Sequence, residues 1–304
     1  MKQKKLTMTV GVPAYNEKAN IANLLKSILS QKETNYKLEK ILVISDGSSD
    51  STEDVVKNIR NKNIQLLTNK KRIGKALTQN IILNNNKSDV LVLLDADVLP
   101  KNNHLLEGLV KPFLVHQNIG IVGGKVTPLP PTTYIENVLF FSTKLKNDIY
   151  KNINNGNNIY MCHGRVRAFS KSLAKSLRWE PTFGEDAYSY LGCISKGYSF
   201  YYSPSAEILY KLPDDVRDHV KQSSRFFSSI NAMKKYYDKK LVDIEYRIPL
   251  NLLLRKYLKH FLKSPLKMII YVMIVSTTKL MSKEEKKNLY WATSKSSKVL
   301  ETFK

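Results

Sequence analysis

The sequence predicts an α/β protein, a mostly parallel sheet flanked by helices and followed by a helical appendage. Three observations predict it. Strand and helix signals alternate through the first half, the pattern of a parallel sheet covered by helices. Asp89-Val-Leu-Val-Leu-Leu-Asp-Ala-Asp97 carries an apolar run too short for a typical helix, as a strand buried on both faces would. After about Asn231 the composition shifts, and Ile248 to Met281 is apolar and basic with almost no acids. The expected division is residues 1–235 for the α/β domain and 236–304 for a basic, amphipathic helical tail.

Thr9 to Val12 reads as the first strand. The next segment, 19–31, sets Ile21, Leu24, Leu25, Ile28 and Leu29 on one helical face. Lys40 to Ser45 is the second strand, ending in Asp46-Gly-Ser-Ser-Asp-Ser-Thr52, with a helix expected near Glu53 to Asn61. Ile64 to Leu67 reads as a strand, Gly74 to Asn84 as a helix, and the run from Val90 as the buried strand. Ile119 to Val126 continues the sheet, and Pro128-Leu-Pro-Pro131 breaks it. An aromatic helix is expected over Tyr134 to Tyr150, then an Asn-rich loop and a segment Arg167 to Ser170. In the tail, Ser264-Pro265 predicts a helix boundary with Pro265 as the first helical residue. Ser282-Lys-Glu-Glu285 fits a capping box that opens a last helix.

The 304 residues are 42% apolar, enough for a sizeable core. Lys and Arg number 49 against 26 Asp and Glu, a net charge of +23. That surplus fits a polyanionic partner, nucleic acid or an anionic membrane, or simply a solvated lysine-rich surface. A nucleic-acid binder would cluster basic and aromatic residues on a recognisable module, whereas here the aromatics accompany acids at strand ends. Two cysteines, Cys162 and Cys193, offer neither a disulfide framework nor zinc-ligand spacing, which fits a reducing compartment. The N-terminal residues lack the apolar stretch of a signal peptide. The longest strongly apolar run, Met268 to Val275, falls well short of the roughly 20 residues that span a bilayer. The expected location is therefore cytoplasmic, peripheral at the membrane face.

Chemistry gathers where the strands end, as ligands do in open α/β sheets. Pro13-Ala-Tyr-Asn-Glu17 brings an aromatic plane and hydrogen-bonding groups suited to a base and a ribose. Asp46 can accept from a base N–H, and the Gly-Ser turn after it permits close approach. Lys70-Lys-Arg-Ile-Gly-Lys75 sets positive charge at a helix N-terminus, a favourable place for phosphate. Asp95 and Asp97, one residue apart, suit a hard divalent cation that neutralises a diphosphate. A nucleotidyltransferase would instead show a Gly-rich phosphate loop directly after the first strand.

In this order the segments resemble the family 2 inverting glycosyltransferases, over residues 7–230. The resemblance implies a GT-A (Rossmann-like) fold, a nucleotide-diphosphate-sugar donor, UDP by family frequency, and Mn²⁺ or Mg²⁺. It implies that Pro13, Tyr15, Glu17, Asp46, Arg72, Lys75, Asp95 and Ala96 bind the donor and that Asp97 ligates the metal. Gly164 to Lys171 is similar to the family's segment on the donor-sugar and acceptor side. Phe183-Gly-Glu-Asp186 resembles its acidic pair, Glu185 and Asp186, whose second acid is the catalytic base. A structural role, capping the following helix, is the competing reading. Gln222-Ser-Ser-Arg225-Phe226 resembles the Gln-x-x-Arg-Trp motif of the membrane-associated branch, with roles toward acceptor or diphosphate. Phe226 stands where Trp is usual, which puts a processive polymerase in doubt. His163 is a candidate further metal ligand or a structural histidine. The acceptor expected is a glycan or lipid-linked hydroxyl. The basic tail either lies on anionic lipid, with Tyr271, Tyr290 and Trp291 near the interface, or packs on the catalytic core or a second copy.

Overall fold

The computed structural model describes residues 5–181 and 184–281, without the side chains of Arg225, Phe227 and Met281. Phe183 of the acidic motif, the expected capping box at 282–285, Tyr290 and Trp291 lie outside the described residues.

Among the described residues eight strands form one sheet: β1 (Leu6–Ala14), β2 (Tyr36–Asp46), β3 (Ile64–Asn69), β4 (Val90–Leu94), β5 (Leu99–Pro100), β6 (Ile119–Pro128), β7 (Val166–Ser170) and β8 (Ser199–Tyr210). Their order is β3-β2-β1-β4-β7-β6-β8-β5. The β3-β2-β1-β4 portion is parallel. The antiparallel β7, set between β4 and β6, turns this parallel half into a mixed sheet. Every residue of β4 is buried, because layers cover both sides of it.

Helices α1 (Ile21–Leu29), α2 (Thr52–Asn58) and α3 (Lys75–Asn84) connect the first strands. In α1 the buried residues Ile21, Leu24, Leu25 and Ile28 follow helical spacing and face the sheet. The observed β1 and β2 outrun the expected strands at both ends, because polar residues pair at the sheet rims as readily as apolar ones.

Two elements escape the sequence pattern. Helix α4 (Leu105–Val115) contains Pro112, which argues against a helix yet is accommodated within it. Its Gly108 lies so near β8 that an added Cβ would come within 2.9 Å of the Ala206 backbone nitrogen. Strand β8 contains Pro204, which demotes a segment on sequence grounds. Here the pairing jumps from Gly124↔Ser203 to Lys125↔Glu207, so Pro204 sits in an irregularity where no ladder hydrogen bond is required of it.

The second half carries α5 (Tyr134–Tyr150), α6 (Lys171–Ser176), α7 (Glu185–Ser195), α8 (Val216–Met233), α9 (Lys239–Glu245), α10 (Leu250–Lys263) and α11 (Pro265–Met281). The break between α10 and α11 falls at Ser264-Pro265, as expected. Helix α5 begins with a reciprocal capping box between Thr133 and Glu136. Val138, Phe141, Leu145 and Ile149 of α5 form one apolar cluster with Met268, Tyr271 and Ile274 of α11. One face of the tail therefore packs on α5.

Asp148 reinforces that packing, accepting from Lys256 at 2.7 Å, His260 at 3.2 Å and Lys259 at 3.3 Å, all on α10. Burial opposes its charge, but these donors prevail and hold its pKa at about 2. A carboxylate held below its unfolded value stabilises above that value, and the contribution fades as pH falls through the folded pKa. Asp148→Asn should therefore destabilise at neutral pH by on the order of 1 kcal/mol, with the deficit closing below about pH 3. Urea denaturation at pH 7 and pH 3 measures the difference, and faster amide exchange confined to α10 should accompany it. An equal deficit at both pH values would remove Asp148 from this role.

Candidate active site

The ends of β1, β2 and β4, the loop before α3 and the N-terminus of α7 surround a cavity of about 660 Å³. Pro13, Tyr15, Glu17, Asp46, Arg72, Lys75, Asp95, Ala96, Asp97, Glu185, Asp186, Gln222 and Phe226 all line it. The structure thus gathers the expected site residues around one space, except Arg225, whose side chain is outside the description.

The nucleotide end is built from interlocked loops. Asp46 accepts from the Ile73 amide at 2.9 Å, the Gly74 amide at 2.8 Å and Asn69 at 3.0 Å, so its carboxylate holds the Arg-Ile-Gly loop. Gly47 has φ +68°, and a Cβ there would lie 2.7 Å from the Arg72 nitrogen. Only glycine lets the two loops meet. The Arg72 guanidinium lies 3.9 Å from the centroid of the Tyr15 ring. Glu17 is buried, receiving Asn20 at 3.0 Å on its carboxylate and directing its own amide to Thr52 at 2.7 Å.

At the centre, Lys75 contacts Asp95 at 2.6 Å and Glu185 at 2.7 Å. It sits between two acids, tying the end of β4 to the start of α7. Burial lowers the pKa of an ammonium, but the two carboxylates outweigh it and that of Lys75 is raised. Burial also works against Glu185, yet Lys75 and Arg167 keep it below its ordinary value. For Asp95 burial prevails, aided by Asp97 and Glu185, and its pKa goes up.

Asp97 is half-buried and makes no hydrogen bond or ion pair with any described residue. Among the described residues no three His, Cys, Asp or Glu side chains converge as a ready-made metal cage. A free carboxylate beside a second acid is the donor set of a hard cation that takes its remaining oxygens from a ligand and water. The residues present fit a divalent ion held by Asp97 together with a bound diphosphate.

Asp186 opens α7. Its Oδ1 accepts from the Ala187 amide at 2.8 Å and its Oδ2 from the Gly164 amide at 3.2 Å. Burial, and then the charge of Glu185, raise its pKa. Gly164 must stay small, since a Cβ would lie 3.0 Å from Glu185 Oε1.

Sequence reasoning missed what holds α7 in place. Arg167 is fully buried and donates to the Glu185 carbonyl at 3.0 Å and to Ser189 at 2.7 Å. The Trp179 indole donates to the same carbonyl at 2.7 Å. The available signal was a charged residue within the short strand-like run 166–170. Phe226, 43% exposed, tilts toward Tyr160 and Tyr246 with centroids 6.3 Å away in each case.

A mostly parallel sheet with acids at its strand ends and a second acidic pair lining one cavity is the architecture of the GT-A fold. The chain belongs to glycosyltransferase family 2, whose model, described as Glycosyl transferase family 2, matches residues 9–178. It is 27% identical over 121 residues to glycosyltransferase AglE of Haloferax volcanii, covering 39% of each chain. It is 29% identical over 126 residues to dolichyl-phosphate beta-glucosyltransferase ALG5A of Trichomonas vaginalis, covering 38% of this chain and 39% of that one. These matches span about two fifths of the relatives' length. In fold it is similar to mannosyltransferase PcManGT of Pyrobaculum calidifontis, solved with GDP-Man and Mn2+, at TM-score 0.60 and 18% identity over 93% of this chain and 76% of that one. It is also similar to glucosyl-3-phosphoglycerate synthase of Mycobacterium tuberculosis, at TM-score 0.55 and 18% identity over 74% and 78%.

Lys75→Met would leave Asp95 and Glu185 buried without their cation, and should cost roughly 3–5 kcal/mol. Orphaned buried carboxylates have raised folded pKa values, so their penalty is full well above those values and falls as pH drops toward the unfolded value near 4. Denaturation should therefore show a larger deficit at pH 8 than at pH 5. A deficit independent of pH would mean the loss comes from packing instead.

Proposed function

We propose that this chain is an inverting, metal-dependent glycosyltransferase that moves a sugar from a nucleotide-diphosphate donor to a glycan or lipid-linked acceptor, with Asp186 as general base. The observation that carries the reading is the shared cavity. The partnerless Asp97 carboxylate lies at one strand end, and Asp186 faces the same space from α7.

In this reading Tyr15 and Arg72 flank the base, Glu17 lies toward the ribose, and Asp46 fixes the loop that closes over the nucleotide. A divalent cation held by Asp97 supplies charge neutralisation for the departing diphosphate. The acceptor oxygen attacks the anomeric carbon as the bond to the diphosphate breaks, and its proton passes to Asp186. The raised pKa of Asp186 makes it a stronger proton acceptor than an ordinary carboxylate. Lys75 and Arg167 hold the Glu185 charge beside it. His163 is a poor second metal ligand, because burial, then the charges of Arg165 and Lys146, all oppose positive charge at its ring.

The tail supports a peripheral location on an anionic membrane surface. On α10, Leu250, Leu254, Leu258 and Leu262 recur every four residues and are 60–73% exposed. Leu266, Ile269 and Met273 continue the exposed apolar surface on α11, and Arg255, Lys259 and Lys263 fringe it. Interfacial binding needs this combination of apolar area and positive charge. No helix among the described residues is long and apolar enough to cross a membrane.

A screen of nucleotide sugars with Mn²⁺ and Mg²⁺ should find a donor whose turnover stops with EDTA. With that donor, Asp186→Asn should lower kcat about 10²–10⁴-fold while nucleotide binding persists. Asp97→Ala should lose the metal-dependent part of nucleotide binding. The acid limb of kcat/KM should lie above the ordinary aspartate value near 3.9. Wild-type turnover by either variant would overturn the assignment. Separately, Leu254→Glu with Leu258→Glu should abolish sedimentation with phosphatidylglycerol vesicles at low salt. Undiminished sedimentation would sink the membrane role of this face.

A further inference from the structure

The donor reading leaves part of the cavity lining without a role. The same cavity is also lined by Lys146 of α5, His219 of α8, and His163 and Arg165 of the loop before β7, whose backbone runs beside the acids: the Arg165 carbonyl accepts from the Asp95 amide at 3.1 Å. Among the described residues neither Lys146 nor Arg165 has a carboxylate partner. Each rests against an aromatic ring, Lys146 at 5.6 Å from the Tyr271 centroid and Arg165 at 4.3 Å from that of Tyr210. Both are partly buried, and partial burial of a cation without a counter-charge costs stability. The fold keeps two of them facing the same cavity.

The two imidazoles belong to the same electrostatic group. Burial, then Arg165 and Lys146, push His163 down to about 4, and burial with Lys146 does the same to His219. At neutral pH each imidazole is an uncharged N–H donor, and the two cations supply the charge. Two positive charges and two imidazoles lining one cavity, with His219 Nε2 3.1 Å from the Ser223 hydroxyl, match a phosphate monoester, which carries close to two negative charges and three acceptor oxygens. A carboxylate would leave one cation uncompensated. The position is also informative, since His163 precedes the Gly164 amide that binds Asp186. Tyr150, Tyr257 and Tyr271 line the same cavity, as do Val275 and Thr278 of α11, the helix whose outer side is apolar.

We infer that Lys146, Arg165, His163 and His219 form a pocket for a phosphate group carried by the acceptor, holding it beside Asp186. This rests on the donor reading only for the word acceptor; the anion pocket itself does not. Transfer still forms one bond from the acceptor oxygen to the anomeric carbon and breaks the bond to the diphosphate. A hydroxyl nucleophile gives its proton to Asp186, whereas an already ionised phosphate oxygen has none to give.

The test is calorimetric titration of the full chain with geranyl phosphate, glycerol 3-phosphate and geraniol, each with and without Mn²⁺ and a nucleotide diphosphate. At least one phosphate compound should bind, about tenfold or more weakly in Lys146→Met and Arg165→Met, with Lys146→Arg largely restoring it. Affinity for the nucleotide diphosphate should stay within about twofold of wild type. The melting temperature of Lys146→Met should not fall, because an uncompensated charge has been removed. Binding of geranyl phosphate alone identifies a lipid phosphate; equal binding of glycerol 3-phosphate identifies a soluble phosphorylated acceptor. The inference is overturned if neither phosphate compound binds better than geraniol. It is equally overturned if the variants weaken the nucleotide as much as the phosphate compound, since the cations would then serve the donor. Failure to bind any nucleotide diphosphate would instead refute the donor reading, and the nucleotide-free titrations would still decide the pocket.

Discussion

The site depends on one buried ammonium. Lys75 sits between Asp95, at the end of β4, and Glu185, at the start of α7, with contacts of 2.6 and 2.7 Å. Without it two acids from opposite walls of the cavity would face each other in a low-dielectric space, and they would repel or take up protons. With it, the N-terminal parallel sheet and the mixed half that follows are joined at the point where chemistry is needed. Buried ion pairs seldom add much net stability over apolar packing. Their value here is positional, because the arrangement has a defined distance and direction that an apolar contact lacks.

Arg167 completes the positioning from below. It donates to the Glu185 carbonyl, which Trp179 also reaches, and to Ser189 one turn along α7. The backbone at the start of α7 is thereby fixed independently of the carboxylates it carries. Glu185 is held in its charged form, and that charge helps raise the pKa of the neighbouring Asp186. Two adjacent acids thus acquire different proton affinities from their surroundings, the division that the proposed general base requires.

Much of this was readable in the chain, for reasons that differ by residue. Asp46, Asp95 and Asp97 stood out because a strand-length apolar run ends at each, and strand ends in such sheets are where ligands go. The helix at Tyr134–Tyr150 and the break at Ser264-Pro265 followed from local periodicity and proline chemistry. Helix α4 did not, because Pro112 counts against a helix locally and only packing beside β8 outweighs it. The bridge from Lys75 to Asp95 and Glu185 was also hidden, since its partners lie 20 and 110 residues away and pairing at that separation has no sequence period. Lys75 looked like a phosphate ligand because a lysine at a helix N-terminus generally has that opportunity. The cluster of Lys146 and His219 was hidden similarly, arising only where α5 and α8 close on one cavity.

The tail resolves into two faces rather than two alternatives. Met268, Tyr271 and Ile274 bury themselves against α5, while Leu266, Ile269 and Met273 on the same helix point away from it. Packing on the core and lying on a surface are therefore compatible, because they use different sides of α11. The inner side reaches the cavity at Tyr271, Val275 and Thr278. A single helix thickness separates the apolar exterior from the space that contains Asp186. Helix α8 continues the connection: Gly184, the residue before α7, approaches Ser229 so closely that an added Cβ would stand 2.9 Å from the serine Cβ. Layers packed at that density transmit displacement rather than absorb it. The position of Asp186 is consequently set both by the ion bridge on the sheet side and by the seating of the helices that form the outer surface.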